Sequence, residues 1–168
     1  PLLELRDVVG IAQTGTGKTA AFGLPLLAIV DADERNVQAL VLAPTRELAM
    51  QSAQAIEDFA ARTARLDVVP VYGGSPYGPQ IGALKRGAQV VVGTPGRVID
   101  LIEKGALDLS NVRMLVLDEA DEMLNMGFTE SIDEILSAIP SEHQTLLFSA
   151  TMGPDIERIA KNYLRQYR

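Results

Sequence analysis

The chain has no cysteine among its 168 residues, which excludes disulfides and thiolate-held metals. A single histidine, His143, cannot anchor a zinc cluster, and beside Ser141 and Glu142 it reads as a surface-loop residue. No apolar stretch reaches the 18 or so residues of a membrane span, and the start, Pro1-Leu2-Leu3-Glu4, does not resemble a signal peptide. Positive charge is also scarce. With 15 Lys and Arg against 22 Asp and Glu the net charge is −7, which speaks against a broad basic face gripping nucleic acid. Low-complexity tracts, internal repeats and charge blocks are absent too. The length suits one domain, 47% apolar, that should bury roughly two-thirds of its unfolded surface, and the lack of cysteine is consistent with a cytoplasmic protein.

Six apolar runs punctuate the chain: Val8 to Ala12, Ala39 to Ala43, Val68 to Tyr72, Val90 to Gly93, Met114 to Asp118 and Thr145 to Ser149. Runs of Val and Leu without alternation suit strands buried on both faces. Helical spacing fills the gaps. Leu48, Ala49, Ala53, Ile56 and Ala60 form one stripe, Val98, Leu101 and Ile102 a second, and Ile132, Ile135, Leu136 and Ile139 a third, stopped by Pro140. Such alternation predicts an α/β domain, a mainly parallel sheet with helices on both faces and right-handed crossovers.

The most informative segment is Asp118-Glu119-Ala120-Asp121, directly behind Met114-Leu115-Val116-Leu117. Carboxylates do not belong in a doubly covered sheet, so they belong at its open end, where parallel sheets bind ligands. Ala12-Gln13-Thr14-Gly15-Thr16-Gly17-Lys18-Thr19 follows the first strand and lands on the same edge. It matches the phosphate loop except that Ala12 stands where glycine is usual. Gly15 and Gly17 let backbone N–H groups turn toward phosphate oxygens. A helix from Lys18 to about Val30 points its N-terminus at the same oxygens. Lys18 is expected to reach the β- and γ-phosphates and the Thr19 hydroxyl to ligate Mg²⁺. Asp118 is expected to hold Mg²⁺, partly through water, and Glu119 to orient or deprotonate the attacking water. Asp121 suits an acidic helix start equally well. Phosphate cradle and acids together point to nucleoside triphosphate chemistry, with Lys18, Asp118 and Glu119 as the catalytic set.

Further segments narrow the class. Pro44-Thr45-Arg46-Glu47-Leu48 follows the second strand, Gly73-Gly74 the third, Thr94-Pro95-Gly96-Arg97 the fourth, and Ser149-Ala150-Thr151 the sixth. With the two motifs above, in this order, they resemble the motif set of the DEAD-box RNA helicases over nearly the whole chain. Val91 to Arg97 and Asp118 to Phe128 most resemble the bacterial cold-shock-type members. In that family Ala12 is the usual residue.

The resemblance implies that residues 1–168 form a single RecA-like ATP-binding domain using ATP and Mg²⁺. It implies RNA-backbone contacts from Pro44, Thr45, Arg46, Gly73, Gly74, Thr94, Pro95, Gly96 and Arg97. It gives Asp121, Ser149 and Thr151 the role of coupling nucleotide state to RNA work, with both hydroxyls within reach of Asp121. It also implies an upstream adenine-recognition motif and a second RecA-like domain, which this chain does not include. The helix from Gly96 to Lys104 is the expected bend-forcing element. Taken singly, Thr45 and Thr94 also suit helix caps, Arg46 and Arg97 a solvated surface, Gly73-Gly74 a turn, and Thr151 a cap before Gly153-Pro154. Two rivals share the motifs: a nucleotide-switched clamp without unwinding, and an ATPase acting on DNA or protein.

Overall fold

In the computed structural model, residues 7–11, 16–63 and 65–164 are described. Ala12, Gln13, Thr14 and Gly15 lie outside the described residues, and so do the side chains of Thr16, Lys18 and Thr19.

Strand and helix alternate as the apolar runs predict: β1 (Val8–Ile11), α1 (Thr16–Ile29), β2 (Ala39–Leu42), α2 (Arg46–Thr63), β3 (Val68–Val71), α3 (Tyr77–Lys85) and β4 (Val90–Gly93). Then come α4 (Pro95–Glu103), β5 (Met114–Leu117), α5 (Ala120–Asn125), α6 (Thr129–Ala138), β6 (Gln144–Ser149) and α7 (Pro154–Tyr163). The six strands form one sheet in the order β1-β6-β5-β2-β4-β3, every pair parallel. β2, β4, β5 and β6 are buried throughout, as expected of strands covered on both sides. β3 is an edge strand, and Pro70 is tolerated there because an edge leaves one side of the ladder unpaired.

Period-two geometry divides the core. Leu40, Leu42, Val91, Leu115, Leu117 and Leu147 face Val98, Leu101, Met123, Ile132, Ile135, Ile156 and Ile159 of α4 to α7. Ala39, Val41, Val90, Val92, Met114, Val116 and Phe148 face Leu26, Ala49, Ala53 and Ile56 of α1 and α2. The predicted stripes are therefore the buried ones. Among the described residues no helix is long and apolar enough to cross a membrane. α6 stops at Ala138 because Ile139 precedes Pro140 and takes extended backbone (φ −98, ψ 139).

The lower edge holds features that periodicity does not announce. Gln38 and Gln89 are fully buried. Gln38 Oε1 accepts from Asp31 N–H (2.7 Å) while its Nε2 donates to the Asp31 and Glu34 carbonyls. Gln89 Oε1 accepts from Asp67 N–H and its Nε2 donates to the Ala32 carbonyl. Asp7 Oδ1 accepts from Thr145 N–H at 2.7 Å and fastens the start of β1 to β6. His143 does lie in the loop before β6, but it is not a free surface residue. The ring is half-buried, with Nδ1 2.6 Å from the Pro140 carbonyl and Nε2 2.8 Å from Thr145 Oγ1.

Candidate nucleotide and nucleic-acid site

Because every strand runs the same way, all the motif loops leave one edge of the sheet. β6 lies between β1 and β5, with Ile11 level with Ser149 and Leu117 level with Leu147. The exits of β1 and β5 are thus two strand spacings apart, roughly 10 Å. α1 begins at Thr16, so the backbone of Thr16, Gly17, Lys18 and Thr19 forms its first turn, where N–H groups lack intrahelical partners.

Asp118 is 4% exposed, and its N–H donates to the Leu42 carbonyl at 2.9 Å, which holds the acid turn against β2. Glu119 caps α5 with φ 52 and ψ 52, the one non-glycine residue with positive φ among those described. A left-handed L-residue costs about 1–2 kcal/mol, and such strain concentrates where a side chain must be aimed. Nothing in the apolar pattern signals it. Among the described residues no three His, Cys or acidic side chains converge on a metal-sized point. Magnesium keeps several waters and takes only one or two protein oxygens. Asp118 is the described candidate for that role.

The coupling residues behave differently from one another. Thr151 Oγ1 donates to Asp121 Oδ2 at 3.2 Å, joining the β6 exit to α5. Ser149, expected to do the same, is buried and donates instead to the Thr151 carbonyl at 2.6 Å. It shapes the turn that presents Thr151. The Asp121 bond is exposed, so Thr151→Ala should cost no more than about 1 kcal/mol of stability. If the bond transmits nucleotide state, the variant in the full-length protein should still hydrolyse ATP but unwind RNA about tenfold more slowly. Parallel phosphate-release and duplex-unwinding assays would show this, and equal losses in both would count against transmission.

On the far side of the sheet the rim loops are tied together. Thr45 caps α2, its Oγ1 accepting from Leu48 N–H at 3.2 Å. Thr94 makes no such side-chain bond. Pro44 and Pro95 are buried, whereas Gly73, Gly74 and Gly96 are exposed. The exposed Arg46 stacks over the Tyr72 ring (5.0 Å to the centroid), and a Cβ on Gly74, whose φ is +80, would stand 4.0 Å from Arg46 Nη1. Arg97 is not solvated. It is 8% exposed, and Nη1 donates to the Ser75 carbonyl and to Gln80 Oε1, both at 3.0 Å, while the guanidinium lies 4.0 Å over Tyr77. Tyr77 in turn donates to Asp100 Oδ2 at 2.9 Å, a bond that raises the phenol above its ordinary pKa. Tyr72, Ser75, Tyr77, Gln80 and Asp100 were not singled out by the sequence motifs. The signal that finds them is the partner each supplies to a motif arginine or loop.

Comparison with known proteins agrees with this architecture. Residues 1–159 match the family model described as DEAD/DEAH box helicase. Proteins named ATP-dependent RNA helicase DeaD from Mycobacterium tuberculosis and Escherichia coli K12 are 58% and 54% identical over 97% and 98% of the chain. The chain spans only 29% and 26% of those two relatives. A DEAD box protein crystal structure from Methanococcus jannaschii superposes with a TM-score of 0.93 at 46% identity, over 99% of this chain and 45% of that one. A hypothetical ATP-dependent RNA helicase from Sulfolobus tokodaii superposes with a TM-score of 0.90 at 41% identity, covering 99% of this chain and 48% of that one. With its all-parallel sheet, its acid turn and its rim loops on one edge, the chain belongs to the DEAD/DEAH box helicase family and has that family's RecA-like fold.

Proposed function

We propose that this chain is the N-terminal ATPase domain of an ATP-dependent RNA helicase acting in the cytoplasm. The observation that carries the reading is the sharing of one sheet edge by the acid turn and the tied rim loops. In this reading the loop Ala12 to Thr19 cradles the phosphates, and Lys18 binds the β- and γ-oxygens. Thr19 and Asp118 hold Mg²⁺, partly through water; when bound, the ion neutralises charge on the phosphate oxygens. Glu119 orients the attacking water and accepts its proton. Pro44 to Arg46, Gly73-Gly74 and Thr94 to Gly96 receive the RNA backbone through amides, free helix-start N–H groups and the Arg46 cation. No base is read, which suits a helicase that accepts any sequence. A second RecA-like domain closes on the same edge, and one RNA strand is held bent, so that a few base pairs open.

The glycines allow a test that separates ligand from fold. Gly96 sits in the first turn of α4 without positive φ, and a Cβ there meets nothing within 4 Å. Glycine in a helix costs up to about 1 kcal/mol relative to alanine, so the fold itself would favour alanine. Gly96→Ala is therefore expected to match or exceed wild-type thermal stability while weakening single-stranded RNA binding about tenfold, or about 1.4 kcal/mol, the methyl group standing where a phosphodiester must approach. Fluorescence anisotropy on the full-length protein measures the second effect. Unchanged affinity would remove the RNA backbone from this rim. A duplex-unwinding assay with hydrolysable and non-hydrolysable ATP separates a helicase from a nucleotide-switched clamp.

A further inference from the structure

The side chain that holds Arg97 is not an acid. Buried arginines are ordinarily paired, because an uncompensated charge in low dielectric is costly. Here the guanidinium's partners are the Ser75 carbonyl, the Gln80 amide oxygen and the Tyr77 ring, none of which carries a charge. The carboxylate in this network, Asp100, takes the Tyr77 hydroxyl, and Lys104 lies on the same ring at 4.8 Å. Gln80 is itself buried, 6% exposed, and uses both ends of its amide. Oε1 accepts from Arg97 and Nε2 donates to the Tyr72 carbonyl at 3.3 Å. A glutamate could serve only the first partner, since a carboxylate has no proton to donate. A hydrophobic residue could serve neither. The result is a strut: Arg97 in the first turn of α4 is joined through Gln80 to Tyr72 and directly to Ser75, on either side of Gly73-Gly74.

We propose that Gln80 is a positioning residue of the RNA rim, fixing Arg97 beneath the Gly73 to Ser75 loop without a direct ion pair, so that its positive charge still acts on the phosphates above. This rests on the RNA-binding reading of the rim. It assigns Arg97 a role at one remove: the guanidinium braces the loops and supplies field, while the amides of those loops touch the strand. The field matters more here because the chain as a whole is acidic, −7, so positive potential must be kept local.

Gln80→Glu tests the charge. It keeps the size of the side chain and the bond to Arg97 but neutralises it. In the full-length protein, binding of a fluorescent oligo(U) is expected to weaken about five- to tenfold at low salt. Its log–log salt dependence should become shallower by about 0.7, one phosphate's share for a single strand, so that the two proteins converge at high salt. Gln80→Met tests the brace. It removes both hydrogen bonds and leaves the charge, so affinity should fall with the wild-type salt slope retained. ATP binding, on the β1–β5 side of the sheet, should be unchanged in both. A Gln80→Glu protein with wild-type affinity and slope overturns the proposal, and so does equal weakening of both variants with no change of slope, which would make Gln80 mere packing. Should Gln80→Glu not fold, Arg97→Lys replaces it: the charge stays but the planar guanidinium that lies over Tyr77 and places Nη1 between Ser75 and Gln80 is lost. Weakened binding at unchanged slope then supports the proposal and unchanged affinity refutes it. A wild-type protein without measurable RNA affinity would instead sink the RNA reading itself, a result distinguishable before any variant is made.

Discussion

Glu119→Gln in the full-length protein is expected to lower ATP hydrolysis by about 10²–10⁴-fold, the usual contribution of a positioned general base, while ATP binding persists. Stability should hardly move, because glutamine occupies the same left-handed backbone (φ 52, ψ 52) at the same cost. Glu119→Gly makes the complementary case. It should lose hydrolysis to a similar extent yet gain about 1 kcal/mol of stability, since glycine adopts positive φ without the Cβ penalty. A variant that is both more stable and inactive would identify the strain at Glu119 as a cost carried for catalysis. Single-turnover phosphate release and thermal melts measure the two quantities independently. Retention of near wild-type hydrolysis by Glu119→Gln would remove Glu119 from the chemistry, and no gain in stability for Glu119→Gly would remove the strain argument.

How far the residues announced this arrangement depends on which physical signal each one carries. The strands were readable to within a residue at their ends because Leu40, Val91, Val116 and Leu147 lie in unbroken apolar runs that only a doubly covered strand needs. The acid turn was readable because Asp118 and Glu119 stand where an apolar run stops. Strand order was not, since nothing in β6 itself says that it inserts between β1 and β5. Backbone conformation was equally silent. Glutamate is a poor guess for positive φ, so Glu119 took its place in the site by motif rather than by geometry. Polar residues were the hardest to place. Gln38, Gln80 and Gln89 resemble surface side chains in sequence, yet each is buried because it satisfies carbonyls or N–H groups of the loops that pack against it. Arg97 illustrates the same limit. The motif located the residue on the rim but not the direction of its side chain, which depends on Gln80 of α3 and Ser75 of the loop before it.

Hydrolysis by these 168 residues alone is expected to lie about 10³–10⁵-fold below that of a protein in which a second RecA-like domain supplies an arginine to the transferring phosphate. Five of the described guanidiniums are already engaged. Arg35 is held by Asp67 and the Arg86 carbonyl, Arg113 by Glu34 and Arg158 by Asp133. Arg46 stacks on Tyr72 and Arg97 is fixed by Ser75 and Gln80, both on the β3–β4 side of the rim. None of these five is left for charge developing beside Asp118 and Glu119. Lys18 meets the phosphates from the loop side in our reading, so the opposite, open side must be covered by another body if the transition state is to be stabilised. The relatives matched here have ample length for one, this chain spanning under a third of two of them. Phosphate release at saturating ATP, with and without single-stranded RNA, should be barely above background for the isolated chain and should rise when a second RecA-like domain is supplied in trans or in cis. Brisk RNA-stimulated turnover by the isolated chain would mean that one of its own cations reaches the γ-phosphate, and the division of labour between two domains would have to be abandoned.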